Sequence, residues 1–122
     1  MEMEDEAQQN VQEFAKKRQQ LILVGNQKQQ LELQKAALNE GLKELNETKE
    51  TKVYKAIGNI LILKDIESIK KELTDLVEQT DLRVKTLVKQ EESLVNRLNK
   101  LKAGLEGRLT EPENEDDEDD EK

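Results

Sequence analysis

Carboxylates are the most numerous side chains here suited to acid–base or metal chemistry, and their placement argues against both. Pairs such as Glu91–Glu92 and Glu47–Glu50 read as exposed positions on helices, where such charges are solvated. The groups that would complete a catalytic set are absent. With no histidine and no cysteine in 122 residues, there is no imidazole base, no thiolate nucleophile and no imidazole metal ligand. A disulfide framework is excluded on the same count. The five glycines are scattered, and none opens a Gly-rich run ending in Gly-Lys-Ser or Gly-Lys-Thr that would cradle a phosphate. The acids near the C-terminus lack the glycine and spacing of a calcium loop. The sequence is not that of an enzyme, and it calls for no cofactor and no metal.

What remains is geometry, centred on Lys52-Val-Tyr-Lys-Ala-Ile-Gly-Asn-Ile-Leu-Ile-Leu63. This is the one stretch where β-branched and apolar residues crowd together instead of recurring at helical spacing. Gly58-Asn59 reads as a two-residue hairpin loop. That loop pairs Ile57 with Ile60, Ala56 with Leu61, Lys55 with Ile62 and Tyr54 with Leu63. Alternation places Tyr54, Ala56, Leu61 and Leu63 on one face and Val53, Ile57, Ile60 and Ile62 on the other, with Lys55 among the latter. Both faces are apolar, and an isolated two-stranded hairpin is marginal in water. Its unpaired edges also invite a further strand. The expectation is a hairpin that joins hairpins of other subunits; the alternative is a greasy loop folded onto its own helices.

Composition fixes the setting. Charged residues make up 39% of the chain and aromatics 2%, too few bulky side chains for a globular core and too much apolar periodicity for disorder. The net charge of -8 resides at one end: residues 111–122 hold nine acids and one lysine, leaving nineteen of each sign upstream. A neutral body with an acidic tail argues against nucleic acid. The opening Met-Glu-Met-Glu-Asp-Glu is the reverse of a signal-peptide start, and no apolar run approaches membrane-spanning length. The expectation is a soluble cytoplasmic protein with no membrane partner.

The pattern predicts a single domain dominated by helix. Residues 1–6 read as a frayed acidic start. A helix follows over 7–48, its 3–4 repeat running through Phe14, Leu21, Val24, Leu31, Leu38, Leu42 and Leu45, with Lys17, Lys28 and Lys35 filling the remaining seam positions. After a polar connector comes the hairpin at 52–64, and then a second helical segment at 65–109 with Asp65 as its N-cap. Its seam starts Ile66, Ile69, Leu73, Leu76 and shifts by one to Val77, Val84, Leu87, Leu94, Leu98, Leu101 and Leu105; Thr80, Arg83, Gln90 and Glu91 thin its middle. Two helices of similar length on either side of a tight turn fold back as a long antiparallel two-helix coiled coil. Residues 110–122 are disordered by composition, either a solubilising tail or a contact for a basic surface.

The end of the coil far from the hairpin carries Val11, Phe14 and Leu21 on the first helix and Leu98, Leu101, Leu105 and Leu109 on the second. Coil ends open at little cost, so fraying would uncover these side chains as apolar patches. Alternatively, they only zip the seam.

The segment Val53-Tyr-Lys-Ala-Ile-Gly-Asn-Ile-Leu-Ile-Leu-Lys64, set between two heptad-patterned helices, resembles the central hairpin of the prefoldin β family, archaeal type. The matching features are Val-Tyr-Lys at 53–55, Gly58 at the turn and an apolar strand ending at Leu63. Lys89-Gln-Glu-Glu-Ser-Leu94 is similar to that family's Gln-Glu stretch. The resemblance implies a hexamer of two α-type and four β subunits whose hairpins close an inter-subunit β-barrel, with coiled coils hanging from it. It makes Val53, Tyr54, Ala56, Ile57, Gly58, Ile60, Leu61, Ile62 and Leu63 oligomerisation residues, and Val11, Phe14, Leu21, Leu98, Leu101, Leu105 and Leu109 the client-binding set. It further implies an ATP-independent holdase that passes unfolded proteins to a group II chaperonin. The competing reading is a coiled-coil scaffold or adaptor for a folded partner.

Overall fold

A computed structural model describes the backbone of residues 2–110 and the side chains of residues 4–107. The acidic segment 111–122 and the side chain of Leu109 lie outside the described residues. Four elements follow in order: α1 (Glu2–Glu47), β1 (Lys52–Ile57), β2 (Ile60–Asp65) and α2 (Ile66–Thr110). The two helices and the antiparallel hairpin between them are the fold expected from the sequence.

Helix α1 is built from Glu, Gln, Lys, Leu and Ala, all strong helix formers, with no proline to interrupt it. It begins at Glu2 rather than near Ala7, because Glu4, Asp5 and Glu6 sit at the positive end of the helix dipole and favour the first turns. It stops at Glu47, where the Thr48 amide donates to the Glu44 carbonyl at 3.1 Å and the Glu50 amide donates to Thr48 Oγ1 at 3.2 Å.

The hairpin register is the one read from the sequence, Tyr54 opposite Leu63 through Ile57 opposite Ile60, extended by Val53–Lys64 and Lys52–Asp65. Gly58 adopts φ 60° at the first loop position, where a primed hairpin turn places glycine and where a side chain would be strained. Asp65 is not simply a helix cap. It is the last residue of β2, and its Oδ1 accepts from Lys52 Nζ at 2.9 Å across the open end of the sheet. The Ile66 amide, first in α2, donates to the Thr51 carbonyl at 3.0 Å and closes the base of the hairpin.

The chain divides into two compact units, Asn26–Val88 and the flanking segments up to Gly25 and from Lys89. Within Asn26–Val88, Leu31, Ile66, Val84 and Thr80 are buried, and Leu38, Leu42, Leu45, Leu73, Val77 and Leu87 are half-buried. Lys35 Nζ reaches Asp81 Oδ1 at 2.6 Å between α1 and α2, and Lys85 reaches the other oxygen at 3.3 Å. In the flanking unit Leu101 is buried, while Phe14, Leu21, Val24, Glu91, Leu94, Leu98 and Leu105 are half-buried. A Cβ on Gly25 would stand 3.4 Å from Glu91 Oε2, an ordinary contact with the end of a flexible side chain.

The seam of α2 differs from its expected course. Leu76 is exposed and Val77 faces inward, so the buried row runs Leu73, Val77, Thr80, Val84, Leu87 in unbroken steps of four and three. Thr80 and Glu91 therefore fill seam positions rather than interrupting them, while Arg83 and Gln90 point away. Polar residues at seam positions carry no hydrophobic signal, which is why apolar spacing alone suggested a shift.

Candidate functional site

The hairpin offers its apolar residues to solvent. On the face shared by Tyr54, Ala56, Leu61 and Leu63, Tyr54 is 68% and Leu61 65% exposed. On the opposite face Ile57 and Ile60 are exposed, Ile62 less so, and Val53 and Lys55 are half-buried. Lys55 donates to Glu72 Oε2 of α2 at 2.6 Å. The helices therefore shade part of one face and leave the other bare. Gly58, at the loop, is also exposed.

The distal residues separate into two groups. Phe14, Leu21, Leu98 and Leu105 are half-buried and Leu101 is buried, so in the closed coil these five serve the seam. Val11 alone of the described set stands outside it, 53% exposed. Leu109 falls within α2. Three aliphatics that the sequence reading missed are exposed in the same unit: Ile22, Leu23 and Val95. Leu21-Ile-Leu-Val24 was the available signal, since four successive apolar residues exceed what one helical seam can cover. Leu21 and Val95 also line a shallow groove with Glu91, Glu92 and Asn96.

Ion pairs link α1 to α2 within each unit. Arg97 donates through Nε and Nη2 to the two Glu13 oxygens at 2.8 and 2.9 Å, a bidentate fork. Those hydrogen bonds hold the Glu13 carboxyl below its ordinary range, helped by the charges of Arg97 and Lys17, and they raise the Arg97 guanidinium. Asp81 is lowered first by the Lys35 hydrogen bond and then by that of Lys85. A depressed carboxylate stabilises fully above its unfolded value, and that contribution is lost as pH falls through the folded one. The gap in melting temperature between wild type and Asp81→Asn is therefore expected to be full at neutral pH, to narrow below about pH 4 and to close at more acid pH. Circular dichroism melts of the two proteins across that range check it.

Among the described residues no group of three or more acids is arranged to hold a metal ion, and no helix is long and apolar enough to cross a membrane. Fold and surfaces together define a coiled-coil binding protein that offers apolar contact area. The family model "Prefoldin subunit" matches residues 8–111. A prefoldin subunit beta from Archaeoglobus fulgidus is 36% identical over 110 residues, covering 89% of this chain and 95% of that protein. One from Methanothrix thermoacetophila is 38% identical over 80 residues, covering 65% and 67%. The crystal structure of the prefoldin beta subunit from Thermococcus strain KS-1 superposes with a TM-score of 0.81 at 27% identity, covering 88% of this chain and 95% of that one. The chain belongs to the prefoldin family, among its β subunits.

Proposed function

We propose that this chain is the β subunit of an ATP-independent holdase, which joins its partners through the hairpin and holds unfolded proteins at the distal end of its coil. Membership of the family makes it a chaperone subunit that works in a complex with other prefoldin subunits, and the family is one of chaperones rather than enzymes. The scaffold reading has no support among these relatives.

The observation that carries the assembly half is the bare hairpin, with Tyr54, Leu61 and Leu63 each more than half exposed on one face. A row of large aliphatics and an aromatic beside unpaired strand edges is stable only when covered. We assign the covering partners as an α-type subunit and further β subunits, in a hexamer of two α and four β. Cytoplasmic operation and transfer of clients to a group II chaperonin complete the proposal.

For clients, the exposed aliphatics Val11, Ile22, Leu23 and Val95 make first contact, and Phe14, Leu21, Leu98, Leu101 and Leu105 join as the coil opens, with Leu109 beyond them. Several weak patches on separate arms gain avidity from being linked, so no single arm needs a large sticky surface. The test is suppression of aggregation of a chemically denatured client. Removal of residues 1–24 and 94–122, which takes away both sets, is expected to abolish protection while the oligomer mass, corrected for the deletion, corresponds to the same number of subunits. Equal protection by the shortened form overturns the distal assignment.

A further inference from the structure

Lys55 is out of place on its face. It stands between Val53 and Ile57 on β1 and opposite Ile62 on β2, so its nearest neighbours on that face are apolar, and the other charge there, Lys64, lies opposite Val53 toward the open end of the sheet. The other hairpin ion pair, Lys52–Asp65, closes the solvated open end of the sheet with side chains 57% and 67% exposed. Lys55 sits mid-strand instead, and it reaches seventeen residues along the chain to Glu72 Oε2 at 2.6 Å. In the free chain both groups remain partly in water, where such a pair adds little to folding. Its role must therefore be sought in a state where that water is gone.

We propose that Glu72 is a counter-ion carried within the chain for Lys55, neutralising that lysine before the hairpins of other subunits close around the sheet. The inference rests on the reading of the hairpin as the assembly element. An ammonium taken out of water without a partner is strongly unfavourable, whereas one already hydrogen-bonded to a carboxylate is covered at much lower cost. Because the counter-charge comes from α2 of the same chain, the incoming hairpin needs no acid opposite Lys55. The partner that fits is a hairpin that is aliphatic at the level of Lys55. The same bridge ties β1 to α2, which makes Glu72 a positioning residue for the interface.

This arrangement gives an unusual order of effects. Glu72→Gln leaves the ammonium unpaired on the sheet, whereas Lys55→Met leaves a carboxylate on α2 that is 42% exposed and can turn to water, and the double variant removes both charges. Purified full-length chains are mixed with an α-type prefoldin subunit and followed by native mass spectrometry over a dilution series. Glu72→Gln is expected to raise the half-assembly concentration about tenfold or more, while Lys55→Met and the double variant Lys55→Met/Glu72→Gln assemble at least as well as wild type. Unchanged far-ultraviolet melts of the unassembled chains separate this from a folding defect. Wild-type assembly by Glu72→Gln overturns the proposal, as does a loss in the double variant equal to that in Glu72→Gln, which would make the bridge itself, rather than the unpaired ammonium, the requirement. Full assembly after charges are introduced at Leu61 and Leu63 defeats the underlying hairpin reading instead.

Discussion

Leu61→Glu/Leu63→Glu is expected to fold its helices and to lose assembly almost completely. Both side chains are more than half exposed in the single chain, so little apolar area is forfeited when they become charged, and surface changes of this kind usually move stability by under about 0.5 kcal/mol each. In a covered sheet the same two carboxylates have no partner and must be desolvated together, at a cost of several kcal/mol. The half-assembly concentration should therefore rise by about a thousandfold or more, leaving unassembled chains at micromolar concentration. Sedimentation velocity or native mass measurement with an α-type subunit reads the outcome directly, with helicity as the control. Wild-type mass at wild-type concentration would show that the bare face is not the contact.

The second large effect separates two ways of holding a client. Leu101 is the buried residue among the described residues of the unit formed by 1–25 and 89–122, at 6% exposure, and shortening it to alanine is expected to destabilise that unit by about 2–3 kcal/mol. Hydrogen exchange across residues 94–105 should accelerate accordingly. Protection of a denatured client is nonetheless expected to persist, because opening the seam uncovers Phe14, Leu21, Leu98 and Leu105. Val11→Ser/Ile22→Ser/Leu23→Ser should behave in the opposite way. It removes three exposed aliphatics, leaves the melt nearly unchanged and reduces protection severalfold. If the triple variant protects as wild type does, first contact does not run through the exposed set.

These variants mark where sequence was sufficient. The hairpin pairing was legible residue by residue, because a two-residue loop and a side-chain period of two leave one register. The seam of α1 was equally legible, its three lysines included, because the 3–4 spacing continued across them. In α2 the same spacing failed at Leu76 and Thr80, where a threonine takes a core position and a leucine does not, while Val77 held its place in the seam. Exposure was the harder quantity. Spacing sets which residues share a side of a helix, but whether that side is covered depends on the second helix, so Phe14 and Val11 looked alike and are not. The ion pairs Lys55–Glu72 and Lys35–Asp81 join residues 17 and 46 positions apart, beyond the reach of any local pattern.

The two junctions of the hairpin are unequal. Four residues separate α1 from β1, whereas β2 passes into α2 with none between Asp65 and Ile66, and the Thr51–Ile66 hydrogen bond holds that corner. Torque arriving through the ribbon is thus delivered to the second helix without slack, while the first is coupled through a short leash. In an assembled platform, α2 is the spar that would fix the heading of each arm near its root, and α1 would follow it.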